Sequence, residues 1–363
     1  MKEKDIYDKL MIFTVLSLVG LGIVLVYSSS YILALKRYND GYFFFKKHVT
    51  FVLLSLLILM LFMRIRYQFY QKTVYIILTL NILCLIFVLF YGVKIGGATR
   101  WFRFGPISFQ PVEFCKLSLI IYLSYSLAKK HNKLKNFSIG ILPHVIITGL
   151  LAFLLYLQPD FGNILILFFL LFIYLYISGT RITHQILLFT ISLPPLLYFM
   201  VMEPYRIKRL FAYLNPWEDP TGSGFHIIQS LTALGAGGIW GAGLGNSKLK
   251  LFYLPECHTD FIFSILGEEL GLVGVLGLIA IFILFIICGF RISIRARDYF
   301  GCYLALGITT LIVIQSIINM GVGMGVLPTK GLTLPFISYG GTSLMFHIIG
   351  IGILFNVSSQ GKK

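Results

Sequence analysis

Acidic side chains are scarce in this sequence: 14 Asp and Glu stand among 363 residues, against 30 Lys and Arg, and charge of either sign accounts for only 12% of the chain. A soluble domain draws about a quarter of its residues from the charged types. With 58% hydrophobic residues and a mean hydropathy of +0.88, a soluble fold is excluded and a polytopic membrane protein is implied. Cysteine is also sparse. Cys84, Cys115, Cys257, Cys288 and Cys302 form no CxxC pair and no His/Cys cluster, which rules out a disulfide framework and a zinc site. There is no Walker motif, and Gly241-Ala-Gly243-Leu-Gly245 lacks the strand–turn–helix context of a dinucleotide fingerprint, so ATP-driven transport by this chain alone is not indicated. The formal charge of +16 would suggest nucleic acid in a soluble protein. In a membrane protein it is the Lys and Arg excess of cytoplasmic loops, and nucleic acid is not an expected partner.

What the sequence has in abundance is apolar runs long enough to cross a bilayer, which takes about 20 residues each. Ten are present, near 10–35, 48–63, 74–91, 114–128, 141–157, 162–178, 186–202, 261–289, 302–324 and 341–357, and they predict an all-α fold of ten transmembrane helices. The first run is too long for a signal-peptide core and reads as an uncleaved helix. With the N-terminus inside, the inner segments carry about twice the Lys and Arg of the short outer loops, so both termini are expected in the cytoplasm. The acids divide more sharply. All except Glu3, Asp5, Asp8 and Asp298 fall in outer loops or at outer helix ends, so polar chemistry is expected outside.

The outer face holds the unusual segments. Residues 203–259, between helices seven and eight, form a loop of about 57 residues with eight glycines between Gly222 and Gly245. An ordered loop of that length usually carries function. Phe225, Ile228, Leu231 and Leu234 recur every three residues and predict a short amphipathic helix on or dipping into the membrane surface. Residues 96–113 mix Gly, Pro, aromatics, Arg100 and Arg103, a composition suited to a re-entrant element of irregular backbone. Glu113 and Lys116 follow, three apart on one helix face, and can pair. At the start of helix eight, Asp260 sits at the outer mouth, while Glu268 and Glu269 lie about 12–14 Å deeper. Carboxylates at that depth face the bundle interior, either paired to a buried donor or lining a pathway. At about 100° per residue, only one of the two can share a face with Asp260.

These motifs carry a resemblance over nearly the whole chain. Arg100-Trp101 with Phe109-Gln-Pro111 and Glu113, then Gln158-Pro-Asp160-Phe-Gly162, the Tyr205–Gln229 region, Leu254-Pro-Glu256, His258-Thr-Asp260-Phe-Ile262, Glu268-Glu269-Leu-Gly271 and Ser338-Tyr-Gly-Gly341 resemble the SEDS family (shape, elongation, division and sporulation). Residues 243–248 and 327–335 make it more similar to the division members than to those of elongation or sporulation. Cys257 stands where such proteins often carry Ala, and Val112 where a smaller residue is usual; neither touches the acids.

The resemblance implies one integral membrane domain over 1–363, a peptidoglycan glycosyltransferase that polymerises lipid II on the outer face of the bacterial cytoplasmic membrane at the division site. It implies a class B penicillin-binding transpeptidase as partner, along with other divisome membrane proteins and the surrounding lipids. Asp260 aligns with the acid regarded as essential in the family. The joining reaction needs a base for the acceptor 4-hydroxyl and positive charge for the departing diphosphate, but no nucleotide. Asp260 suits the base, the role of a carboxylate in inverting glycosidases. Arg206, Lys208 and Arg209, with Arg100 or Lys248, are candidates for the diphosphate, and Glu256 and His258 for further substrate contacts. The alternative for the basic run is attraction to anionic head groups. Glu113, Lys116, Asp160, Gln229, Glu268, Glu269 and Lys330 are candidate supporting residues. No cofactor is identified, and whether Asp260 holds magnesium or manganese is left open. A lipid flippase, suggested by the deep glutamates, and a non-catalytic scaffold for the transpeptidase remain the competing classes.

The orientation is open to direct measurement. A membrane-impermeant thiol reagent should label a cysteine introduced near Ser247 on intact cells, and one near Lys133 only after permeabilisation; the reverse pattern would invert the acidic face.

Overall fold

The computed structural model describes residues 3–95, 97–105, 107–202, 204–250 and 258–361. The chain runs through α1 (Glu3–Tyr38), α2 (Phe43–Arg64), α3 (Gln68–Tyr91), the strands β1 (Val93–Ile95), β2 (Ala98–Phe104) and β3 (Ile107–Phe109), then α4 (Pro111–Lys129), α5 (Phe137–Gly140), α6 (Leu142–Leu157), α7 (Phe161–Ile177), α8 (Ile182–Val201), α9 (Pro204–Leu214), α10 (Phe225–Gly237), α11 (Ile262–Ile294), α12 (Tyr299–Gly323) and α13 (Gly341–Gln360). Every one of the ten apolar runs falls on a helix. Eight spans among the described residues have the length and hydropathy to cross a membrane. Of the other two, α7 is apolar but only 17 residues long, and α4 carries Glu113 and Lys116 near its start. The protein is an all-α, multi-pass membrane protein.

Residues 96–113 are more regular than the sequence suggested. The described residues within 93–109 form an antiparallel meander in the order β1-β2-β3, with Lys94 opposite Thr99 and Arg103 opposite Ser108, and the Phe102 and Phe109 rings stack with centroids 6.5 Å apart. Thr99, Trp101, Phe102 and Phe104 are residue types enriched in strands. The expectation of irregular backbone rested on the Gly and Pro content; Gly97 and Gly105 fall at the turns between strands. Pro111 then occupies the first turn of α4, where its missing N–H costs nothing.

The chain divides into two compact units. One comprises Met1–Ser55, Phe199–Cys288 and Ile312–Leu344; the other Leu56–Tyr198, Gly289–Leu311 and Met345–Lys363. In the second unit the buried Tyr174 hydroxyl lies 2.9 Å from Ser124 Oγ and donates to the Tyr303 carbonyl at 3.0 Å, tying α7 to α4 and α12. Tyr67 donates its backbone N–H to Asn356 Oδ1 and its hydroxyl to Asp298 Oδ2, and Asn356 Nδ2 reaches the Met63 carbonyl, which fixes the α2–α3 turn.

The first unit is organised around a break in α11. At 33 residues this helix would be about 50 Å long if straight, more than the ~30 Å of the hydrocarbon layer. Gly271 interrupts it with φ 64° and ψ −163°. An interrupted helix frees backbone groups that must find partners where water is absent. Residues 238–243, just past α10, supply them. Ala242 N–H and Gly243 N–H donate to the carbonyls of Glu268 and Glu269, while Leu272 N–H and Val273 N–H donate to the carbonyls of Gly238 and Ile239, all between 2.9 and 3.2 Å. The glycines permit this approach: a side-chain carbon at Gly271 would fall 2.4 Å from Gly241 N, and one at Gly241 would fall 2.2 Å from the Glu269 carbonyl oxygen.

The helix expected in the long loop is present as α10, but its inward face is not the predicted apolar stripe. Ile227, Ile228, Ser230, Ala233 and Gly237 are buried, whereas Leu231 is exposed. Ser230 Oγ lies 2.5 Å from Ser264 Oγ and donates to the Gly323 carbonyl at 2.7 Å. Small residues allow close helix approach in a membrane, and a hydroxyl adds the hydrogen bond that lipid cannot provide. An apolar stripe has no such advantage there, since one apolar surface is much like another in lipid.

Gly271→Ala should lower the thermal midpoint of the purified protein in detergent, because left-handed backbone costs about 1–3 kcal/mol without glycine and the new methyl meets backbone. Gly20→Ala, with nothing within 4 Å of the added carbon, should leave the midpoint unchanged or raised.

Candidate active site

Asp260 lies just before α11, partly exposed, in the described turn 258–261. Its main chain is held from three directions. The carbonyls of three successive residues each accept a hydrogen bond: His258 from Tyr339 N–H at 3.0 Å, Thr259 from Ser338 Oγ at 2.6 Å, and Asp260 from Asn319 Nδ2 at 2.9 Å. Asn319 also donates to the Leu332 carbonyl at 2.6 Å, so one amide joins the Asp260 turn to the 330–332 loop. Gly331 is the close neighbour of the carboxylate: a side-chain carbon there would sit 3.0 Å from Asp260 Oδ2. Lys330 is therefore adjacent in chain to the residue that faces Asp260. His258 is buried against Phe44 and Tyr339, with ring centroids 4.9 and 5.6 Å away. Burial pushes the Tyr339 hydroxyl above its ordinary pKa.

Glu268 and Glu269 are both buried and both occupied. Glu268 accepts from Ser247 Oγ and from the Lys248 backbone N–H at 2.8 Å. Glu269 accepts from Lys250 Nζ at 3.0 Å and from Ser28 Oγ on α1 at 2.5 Å, and Lys250 Nζ also reaches the Gly245 carbonyl at 2.6 Å. The adjacent acids point in different directions, as their helical angles require, and both serve to hold the loop 245–250. Of the cations predicted for substrate, Lys248 contributes its backbone to this network while its side chain is exposed; Lys208 and Arg209 are exposed on α9, and Lys208 helps lower the Asp219 carboxyl, whose main stabilisation comes from Ser223. Gln229 is half-buried on α10. Glu256 and the Arg206 side chain lie outside the described residues.

A separate set belongs to the second unit. Lys116 and Glu113 are buried and paired at 2.7 Å. Arg100 on β2 spends its guanidinium on the chain, donating through Nε to the Gln158 carbonyl at 2.9 Å and through an Nη to the Pro159 carbonyl. Gln158 Nε2 donates to the Leu85 carbonyl at 3.2 Å. Asp160 caps α7, accepting from the Asn163 backbone at 3.4 Å and from its side-chain amide at 2.9 Å.

Sequence reading missed Lys250, Ser28, Asn319 and Ser338. Lys250 had a signal, since a deep glutamate requires a cation, but Lys248 two residues earlier met the same description. Asn319 had one too, as an amide inside an apolar run. Ser338 stood in the Ser338-Tyr-Gly-Gly341 motif without a role of its own, and Ser28 had no signal. Among the described residues no three His, Cys, Asp or Glu side chains are grouped as metal ligands.

Whole-chain comparisons give the family. The family described as "Cell cycle protein", which takes in FtsW, RodA and SpoVE, matches residues 8–363, and the chain belongs to it. The "Probable peptidoglycan glycosyltransferase FtsW" of Geobacter sulfurreducens is 45% identical over 99% of this chain and 97% of its own length. "Stage V sporulation protein E" of Bacillus subtilis is 38% identical over 99% of each. Among solved structures, a chain of a peptidoglycan synthase complex that coordinates polymerization and crosslinking matches with a TM-score of 0.78 and 29% identity over 96% of both chains. The rod shape determining protein RodA of Thermus thermophilus matches at 0.73 and 25% over 97% of both.

Breaking a buried ion pair from one side costs about 3–5 kcal/mol, whereas replacing both partners with apolar groups is often nearly neutral. Lys250→Met and Glu269→Leu should each destabilise the detergent-solubilised protein strongly, and the double variant should recover much of the loss in thermal midpoint.

Proposed function

We infer that this protein is a peptidoglycan glycosyltransferase that polymerises lipid II on the outer surface of the cytoplasmic membrane during cell division. Membership of the family and the names of its full-length relatives support the activity. The observation that carries the site is the triple hold on the backbone carbonyls of residues 258–260, which fixes the turn that bears the Asp260 carboxylate. A preorganised base avoids reorganisation during reaction.

In the reaction, Asp260 takes the proton of the acceptor 4-hydroxyl as its oxygen attacks C1 of the donor sugar from the face opposite the diphosphate. The C1–O bond to the undecaprenyl diphosphate breaks, and inversion follows. The leaving group is already activated, so no nucleotide enters. Lys330, beside Gly331, is the cation we favour for the diphosphate, with Lys208, Arg209 and Lys248 as exposed reserves. A magnesium or manganese ion would bind through one or two carboxylates together with substrate phosphates. Asp260 fits that role as a single ligand, and no step depends on it. Ten crossings, cytoplasmic termini, one membrane domain over 1–363 and a class B penicillin-binding partner complete the reading. The synthase-complex neighbour supports the partner. The deep glutamates, which together with the ten helices favoured a flippase, are engaged in holding the loop and lend transport no support.

Asp260→Asn keeps the size and most hydrogen bonding but cannot accept the proton. Purified with its transpeptidase and given lipid II in detergent, this variant should lose about 10²–10⁴-fold in polymerisation rate, with thermal midpoint and partner binding close to the parent. Polymerisation within about threefold of the parent would defeat the assignment.

A further inference from the structure

At the opposite helix ends of the second unit lie two adjoining cavities that the glycosyltransferase reading does not use. The first, of about 730 Å³, is bounded by the tyrosines Tyr75, Tyr125 and Tyr299 and by Lys129, Lys130 and Lys133. The second, of about 650 Å³, is lined by Lys133, Lys135, Arg181 and His184. They share Asn132, Lys133 and Ile139 as a common wall. Neither has a carboxylate among the described residues that line it. The cations are thus gathered without counter-charge: burial and the neighbouring Lys129 push the Lys130 ammonium below its usual pKa.

The position of the cavities identifies what neutralises them. The start of α3, the end of α4 and the starts of α6 and α12 meet here, and the alternating chain direction puts these four ends on one membrane face, the one assigned to the cytoplasm. His131 stacks on Tyr299 at 4.0 Å, and Tyr75 meets Tyr125 edge-on at 5.8 Å, the amphipathic aromatics of a head-group layer. From this mouth an exposed apolar stripe, Leu142, Ile146, Leu150 and Phe153, descends α6. At spacings of three and four residues these side chains share one face. A free phosphate or an acidic peptide would use the cations and leave that stripe idle. A lipid uses both.

We propose that the paired cavities bind an anionic phospholipid carrying two phosphates, one over Lys129 and Lys130, the other over Lys135 and Arg181, with Lys133 between them and the acyl chains along α6. Basic pockets between helix ends on this face are suited to such head groups.

The test is native mass spectrometry of the full-length protein in detergent, with diphosphatidylglycerol, phosphatidylglycerol, phosphatidylcholine or inorganic pyrophosphate added. The parent should retain diphosphatidylglycerol in preference to the other three. The Lys130→Gln/Lys133→Gln/Arg181→Gln variant should lose about tenfold or more of that retention. Lys9→Gln/Arg64→Gln/Arg66→Gln, an equal charge change at exposed positions that line neither cavity, should stay within twofold of the parent. Should the first variant fold poorly, Lys133→Gln at the shared wall should lower retention about threefold and Lys133→Arg restore it. Equal loss in both triple variants, phosphatidylcholine retained as well as diphosphatidylglycerol, or pyrophosphate bound as tightly as the lipid would each overturn the proposal.

Discussion

A backbone amide inside a bilayer has no water to fall back on, and the arrangement of the first unit follows from how one broken helix meets that demand. Gly271 takes α11 out of register, and residues 238–243 supply the donors and acceptors the break leaves behind. Each unsatisfied group would cost several kcal/mol, so loop and helix cannot exist in this form apart from one another. The long segment between α8 and α11 is therefore part of the helical framework. Its glycines are present because backbone must meet backbone, and its chain path past α10 is set by the helix it repairs.

The buried glutamates reinforce the same junction with side chains. Glu268 and Glu269 contribute their carbonyls to the backbone exchange and their carboxylates to Ser247, Lys248 N–H, Lys250 and Ser28. A buried carboxylate is tolerable when paired and hydrogen-bonded. The scarcity of acid in the chain makes its concentration here meaningful: the charges that look most expensive in the sequence hold a loop that must be rigid. Asp260 is different. Its main chain is fixed by Tyr339, Ser338 and Asn319 from the other end of the sequence. The residues that position the proposed base are mostly uncharged, and a search for charge does not find them.

The second unit applies the same economy. Arg100, Gln158 and Asp160, all conspicuous polar residues between helices, spend hydrogen bonds on carbonyls and on a helix N-terminus. Glu113 and Lys116 neutralise each other inside the unit. The basic residues 129–135 and Arg181, by contrast, gather around cavities without an acid among the described lining residues, and that difference separates internal structure from a surface prepared for a ligand.

Hydropathy by itself determined the class of this protein and the position of each apolar helix, because crossing a lipid layer requires length and apolarity that few other sequences possess. The ordered motifs likewise marked Asp260 and the family. The Glu113–Lys116 pair was legible because three-residue spacing on a helix fixes proximity. Tertiary structure decided what no local pattern encodes. The choice of Lys250 over Lys248 depends on which side chain a turn directs inward. The roles of Ser28 and Asn319 depend on contacts spanning 241 and 59 residues of sequence. The inward face of α10 combines Ile227 and Ile228 with the small residues Ser230, Ala233 and Gly237, because close approach as well as apolar contact packs helices in lipid.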